Sequence, residues 1–436
     1  MRIALVACCG TTHDSRSTAT VSADPGGPAT GRIASLAQAL AGQGHRVTVY
    51  ARKDSAALPT SLILCPGASI EYVTAGPAAP VDAEELTAHL PEFASHLARR
   101  WRRNRPDVAD AHFWTSGMAA LAGARGLDVP VAQTFTSLQA TEERNGAAEP
   151  GGTPARRRLE PAVARTADLL LATSTQEVSD LARFGAPRAR IRVVPSGVDT
   201  NEFTPDGPAA ERGSRLRLLA AQPLGADREL AVALRALTEV SGAELVITGG
   251  SGKRGDPAAR AVLQAAKKLG IADRVVLTGP IAPADLPSLL RSADLMVSTA
   301  SYEPVGMTAL QAMACGTPVV TCAAGAENDA VVDMTTGLHA PPEQPAELAR
   351  RIRNLLTSPV RLEAFGIAAT DRARSRYCWD RIARETVAAY DLLPGRAASA
   401  ASAASADDGA AADEAEEAQE SRATKPARRV RTGTRA

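Results

Sequence analysis

Glu303 and Gln311, with the residues between them, form the stretch of this chain best suited to chemistry. It reads Ser301-Tyr-Glu-Pro-Val-Gly-Met-Thr-Ala-Leu-Gln-Ala-Met-Ala-Cys-Gly-Thr-Pro-Val-Val320. Apolar runs at 295–298 and 318–321 flank it and read as buried strands. Pro304 suits the first position of a helix. Residues 305–314 are helical in composition, and Gly316 is a natural C-cap. The pattern puts Glu303 at a helix mouth and Gln311 about two turns further on. Backbone N–H groups at such a mouth lack partners and the helix dipole favours an anion there. A carboxylate beside them is suited to sugar hydroxyls. An ordinary crossover helix whose acid only caps it would show the same local pattern.

Other polar or glycine-rich turns follow apolar runs: Cys9-Gly10, His112-Phe-Trp-Thr-Ser-Gly117, Thr134-Phe-Thr-Ser137 and Thr278-Gly279. His112 is suited to general acid–base work or to a hydrogen bond with a sugar, and equally to a structural role. Gly250-Ser-Gly-Lys-Arg-Gly255 has the G-x-G-x-x-G spacing, but Asp256-Pro257 follow, so its last glycine precedes the helix. That makes it a weak dinucleotide fingerprint. Gly249, Gly250 and Lys253 would still let backbone approach a phosphate. Neither G-x-x-x-x-G-K-[ST], H-E-x-x-H nor G-x-S-x-G occurs.

The elements that must position these residues alternate along the chain. Strands are expected at 2–8, 46–51, 107–111, 129–134, 169–172 and 191–195, and helices near 33–42, 83–103, 116–123, 155–166 and 176–183, with a long polar loop at 9–30. Turn residues cluster at 195–208 and read as a domain linker. A second series places strands at 216–221, 244–248, 274–278, 295–298 and 318–321, and helices at 346–356, 361–376 and 379–392. Repeated βα units with apolar strands imply α/β architecture: two doubly wound parallel sheets, each covered on both faces, meeting at one cleft. The expected domains are 1–197, with a C-terminal helix at 379–393 packing back on it, and 198–378. Residues 395–436, rich in Ala and Ser and then in charge, read as a disordered tail.

At 436 residues the chain is long enough for two or three domains, and 45% hydrophobic content supports a large core. A net charge of +1 gives no reason to expect nucleic acid or an anionic membrane as partner. No apolar run is long enough to span a bilayer. The six cysteines form no C-x-x-C pair, which argues against zinc and for free thiols in a reducing cytoplasm. Abundant Ala, Arg and Gly suggest a GC-rich bacterial genome.

Taken together, the motifs resemble a GT-B-fold retaining glycosyltransferase of family 4, near the sucrose-phosphate-synthase-like and inositol-phosphate glycosyltransferase branch. The resemblance covers roughly residues 1–393. It is carried by Gly44-His-Arg-Val-Thr-Val-Tyr-Ala-Arg52, Pro106-Asp-Val-Ala-Asp-Ala-His-Phe-Trp-Thr-Ser-Gly117, Val193-Val-Pro-Ser-Gly-Val-Asp-Thr-Asn-Glu-Phe203, Tyr302–Val320 and Tyr377-Cys-Trp379.

The resemblance implies transfer of a hexose from a nucleoside diphosphate sugar, held mainly by the second domain, to an acceptor hydroxyl on the first. The anomeric configuration would be retained and no metal would be obligatory. His112 and Glu303 take the catalytic positions, with Glu303 on the transferred sugar. Amides at Gly306, Met307 and Thr308, with Arg228, would stabilise the leaving diphosphate. Gln311 stands where the family has an acid on the ribose, and base recognition falls near 278–281, beside Gly279. Gly31, at the start of the first expected helix, and Thr136, where the family usually has His, lie on the acceptor side. By register, Pro223 replaces an arginine on the diphosphate and Glu142 falls near a basic position. These replacements leave two functions open: a weakened transferase, or a degenerate GT-B protein that binds nucleotide or carbohydrate as a partner.

Overall fold

A computed structural model of the protein describes residues 1–8, 27–146, 154–222, 224, 227–251 and 255–393. The first half contains β1 (Arg2–Ala7), α1 (Gly27–Gly42), β2 (Arg46–Arg52), β3 (Ser61–Cys65), β4 (Ala68–Val73), α2 (Ala83–Thr87), α3 (Leu90–Arg103), β5 (Val108–His112), α4 (Trp114–Ala124), β6 (Val131–Thr134), α5 (Gln139–Arg144), α6 (Pro154–Thr166), β7 (Leu169–Ala172), α7 (Thr175–Arg183) and β8 (Ile191–Val193). Its strands form one sheet in the order β3-β4-β2-β1-β5-β6-β7-β8, parallel except for the β3–β4 hairpin. The inner strands are buried on both faces, which explains why they read as unbroken apolar runs, Leu169–Ala172 being the plainest.

The second half contains β9 (Leu216–Ala220), α8 (Asp227–Thr238), β10 (Ala243–Ile247), α9 (Pro257–Lys268), β11 (Val275–Leu277), α10 (Leu286–Arg291), β12 (Leu295–Ser298), β13 (Tyr302–Glu303), α11 (Met307–Ala314), β14 (Val319–Thr321), β15 (Ala324–Gly325), α12 (Ala326–Ala330), β16 (Gly337–His339), α13 (Pro345–Leu356), α14 (Pro359–Arg376) and α15 (Trp379–Tyr390). Its sheet runs β11-β10-β9-β12-β14-β16, the doubly wound order, and β13 pairs with β15 in a separate short ribbon. Alternate strand residues serve opposite layers. Leu218, Leu245 and Ile247 join one apolar cluster with α8, α9 and α13, while Leu219 and Val246 join another with α10, α11 and α14. The architecture is two Rossmann-like units with parallel sheets. The chain order reverses between β1 and β5 in one sheet and between β9 and β12 in the other, and ligands bind beyond the strand carboxyl ends at such points.

Several local expectations are corrected. The hairpin β3–β4 was not legible, because Leu62 and Ile63 lie exposed and break the alternation of a half-buried strand. The helix expected over 83–103 is two helices. Pro91 sits in the first turn of α3, and within a longer helix its ring would clash with the carbonyl of Thr87. α1 starts at Gly27, so Gly31 lies inside it rather than at its start, with Pro28 in the first turn where a missing N–H costs little. α11 starts at Met307, not at 305, and Glu303 belongs to β13. Gly306 is left-handed (φ 68°), which stops the helix from extending back through Val305 to Pro304. The stretch from Gly395 and the Cys9-Gly10 turn lie outside the described residues. No helix among the described residues is long and apolar enough to cross a membrane.

Candidate functional site

At the switch point of the second sheet, the loops after β9 and β12 are joined by a buried hydrogen bond from Thr299 Oγ1 to Gln222 Oε1, 3.2 Å. Glu229 in the first turn of α8 accepts from the Ser301 amide (3.1 Å) and hydroxyl (3.3 Å). The start of α8 and the loop carrying Glu303 are therefore one assembly.

Within that loop, Glu303 Oε1 accepts from the amides of Val305 (3.3 Å) and Gly306 (3.2 Å). The turn thus fixes the carboxylate directly before α11. A Cβ at Gly306 would lie 3.1 Å from the backbone of Glu327, so both its φ and its surroundings require glycine. Met307 and Thr308 form the first turn of α11, whose leading N–H groups have no partner within the helix. Gln311 follows one turn later on the same helix, half-buried. The structure thus brings Glu303, Gly306, Met307, Thr308 and Gln311 together at one mouth.

Arg228 lies at the start of α8 and forms an ion pair with Glu343 through one nitrogen, Nη2 lying 2.6 Å from Oε1 and 2.7 Å from Oε2. Its Nη1 lies 3.7 Å from where a side chain on Gly146 of the first half would begin. Gly249 donates to the Gly279 carbonyl at 3.0 Å, joining the turns after β10 and β11. Gly250 (φ 89°) has Leu224 Cδ1 2.6 Å from its missing Cβ. The start of α9 beyond these glycines is already capped. Asp256 accepts from Ala258, Ala259 and both donors of Ser251. These bonds, that of the Ser251 amide first, hold its carboxyl down at about 2. Pro223 and Lys253 lie outside the described residues.

In the first half, His112 ends β5 and Thr136 follows β6. His112 is 5% exposed, with Nε2 3.4 Å from Asp110 Oδ2 and, among the described residues, no hydrogen bond at either ring nitrogen. It lines a small cavity with Arg32 of α1, Asp110, Thr134, Ser196 of the linker and Trp379 of α15. Phe113 (φ 74°) and Thr136 (φ 70°) are both left-handed, and such outliers cluster at ligand sites. Arg32 Nη2 donates to Thr136 Oγ1 at 3.3 Å. Gly31 has open space where a Cβ would stand. The catalytic candidates His112 and Glu303 are therefore placed by different sheets. A larger open pocket lies at the amino ends of β1, β2 and β4, around Arg46, Ser69 and Asn104, on the edge away from both switch points.

The sequence reading missed Arg156. Of the three arginines at 156–158, Arg156 turns inward beneath the loop after β6. It donates to Glu160 Oε1 (2.6 Å), Glu142 Oε2 (3.0 Å) and Ser137 Oγ (2.9 Å), and lies 5.3 Å from the Phe113 ring centroid. Burial pushes the Glu160 carboxyl up to about 7 although Arg156 pulls it down. The i, i+4 spacing of Arg156 and Glu160 was the available signal. Nearby, Thr173 Oγ1 donates to the Pro304 carbonyl at 2.9 Å, which ties the first half to the loop of Glu303.

A two-sheet protein with a helix mouth, a fixed carboxylate and a cation at one switch point, and a histidine at the end of a strand at the other, has the architecture of a GT-B glycosyltransferase. Residues 29–202 match the model of Glycosyltransferase Family 4 and residues 221–372 that of Glycosyl transferases group 1. The chain is 32% identical over 382 residues to D-inositol 3-phosphate glycosyltransferase 2 of Catenulispora acidiphila, covering 82% of this chain and 88% of that protein. It is likewise 32% identical over 377 residues to the D-inositol 3-phosphate glycosyltransferase of Kribbella flavida, covering 82% and 89%. Among solved structures, sucrose-phosphate synthase of Thermosynechococcus elongatus superposes with a TM-score of 0.77 at 24% identity, over 89% of this chain and 98% of that one. Anabaena HepE, solved with UDP, gives 0.68 at 18% identity, over 90% and 100%. The chain belongs to glycosyltransferase family 4, and it is an enzyme that transfers a sugar.

Proposed function

We propose that this enzyme moves a hexose from a nucleoside diphosphate sugar to a hydroxyl of a small acceptor, with retention at the anomeric carbon and without an obligatory metal. The observation that carries the reading is the turn Glu303–Thr308. It sets a carboxylate fixed by two amides beside the start of a helix, at the strand carboxyl ends where the chain order reverses. The diphosphate of the donor would lie at Gly306, Met307 and Thr308, where helix amides meet its negative charge as the bond to the sugar breaks. Arg228 would supply the positive charge and Gln311 a hydrogen bond to the ribose. Glu303 would hold the hydroxyls of the transferred sugar, and His112 would face it from the acceptor side with Thr136 and α1. Gly249, Gly250 and Gly279 would shape the neighbouring edge of the donor site. HepE was solved with UDP-glucose, and the relatives named above are inositol-phosphate glycosyltransferases. Both support a nucleotide-sugar donor and a polyol acceptor.

The test is incubation with UDP-, GDP- and ADP-hexoses and a panel of polyols, following product by NMR. The reading expects transfer from one donor with the anomeric configuration unchanged. Inversion, or neither transfer nor donor hydrolysis with any donor while a relative is active in parallel, would overturn it.

A further inference from the structure

Glu343 lies in the loop between β16 and α13, and three observations set it apart. Both oxygens of its carboxylate sit on one nitrogen of the Arg228 guanidinium, 2.6 and 2.7 Å from Nη2. Its backbone is left-handed (φ 60°), a conformation that favours glycine and that a carboxylate side chain gives no local reason to adopt. The pair stands at the edge of the switch point, because Glu229, next to Arg228, holds the Ser301 amide of the Glu303 loop. A guanidinium held by a carboxylate through one nitrogen keeps its other N–H donors for an incoming anion, and arginine is the side chain best suited to grip a phosphate.

We propose that Glu343 is a placeholder for a phosphate of the donor: its carboxylate occupies Arg228 when the site is empty and is displaced when a diphosphate arrives. The inference rests on the donor reading given above. Both side chains are largely exposed, at 70% and 52%, and such a pair in water is weak enough to exchange for a more highly charged anion. The strained backbone keeps the carboxylate within reach of Arg228, where it competes with the donor and with the nucleoside diphosphate left after transfer. Glu343 is in this sense a residue that sets donor affinity and product release, acting through Arg228.

Isothermal titration with UDP, GDP and ADP decides the matter. With the nucleotide that binds the wild type, Glu343→Gln is expected to tighten binding about threefold to fivefold, the scale of one exposed ion pair. Glu343→Gly, which also relieves the backbone, is expected to do the same. In an Arg228→Ala background neither change should matter. Binding unchanged or weakened by Glu343→Gln, or a gain that persists without Arg228, would overturn the placeholder while leaving the donor reading intact. Absence of nucleotide binding in the wild type and in both Glu343 variants would overturn the donor reading, and the placeholder with it.

Discussion

Asp329 of α12 caps α7 across the two halves of the enzyme: its Oδ2 accepts from the Thr175 amide at 2.6 Å and its Oδ1 from the Thr175 hydroxyl at 2.8 Å. Thr175 is the first residue of α7, where free amides and the helix dipole favour a carboxylate. With the Thr173–Pro304 bond, this contact sets how the Glu303 loop meets the first half. Replacing Asp329 by Ala removes two charge-assisted bonds, and the expected loss is about 1–3 kcal/mol of stability. Hydrogen exchange should rise at the start of α7 and in the 302–306 loop while the interior of each sheet stays protected. Unchanged exchange at both places would show that other contacts hold the halves.

Gly306→Ala tests the turn without touching a polar group. The left-handed φ and the Glu327 backbone 3.1 Å away both oppose a methyl group there. The expected cost is about 2–4 kcal/mol, read as a drop in the urea midpoint, together with loss of nucleotide binding. A variant of unaltered stability would mean that the turn adopts another conformation.

Glu327 makes stability depend on pH. It is 2% exposed, and burial pushes its carboxyl up to about 7 despite hydrogen bonds from Thr321 and Ser298. The folded state thus holds this proton more tightly than the unfolded chain, in which an ordinary glutamate releases it near 4.5. The stability it contributes is fully present below that value and is lost as pH rises through 7, up to about 3 kcal/mol. Glu160 shifts in the same direction. The melting temperature should fall from pH 5 to pH 8, and Glu327→Gln should flatten much of that fall. An equal slope in the variant would assign the dependence elsewhere.

Gln311→Glu addresses the donor ribose. A charged acceptor strengthens a hydrogen bond by about 1 kcal/mol over a neutral one, so nucleotide affinity should rise roughly fivefold, measured by titration calorimetry. No change would place the ribose away from α11.

The parts of the molecule that depend on local composition were legible in the sequence. Buried parallel strands announce themselves as apolar runs, so Leu169–Ala172 and Leu295–Ser298 match the strands found. His112 and the loop of Glu303 follow apolar runs, and each lies at the carboxyl end of the strand so marked. What escaped depends on contacts between distant segments. Nothing in Ser61–Cys65 shows that it pairs with β4, since its apolar side chains face outward. The spacing to Glu160 singles out Arg156 from Arg157 and Arg158, but nothing near it says that it reaches Glu142 and Ser137 on another segment. The Asp329–Thr175 and Arg228–Glu343 pairs join residues more than a hundred positions apart, and the left-handed backbone of Glu343 is invisible in its residue type.

The central claim is that the Glu303 turn holds the sugar being transferred, and steady-state kinetics of Glu303→Gln test it most directly. The change keeps the shape of the side chain and the amide contacts of the turn but removes the charge. With the donor that the wild type uses, kcat should fall about tenfold to a hundredfold, the weight of one charged hydrogen bond in the transition state. UDP, GDP or ADP without the sugar should bind as before. A variant that keeps wild-type kcat would contradict the account, as would one whose only defect is weaker binding of the bare nucleotide.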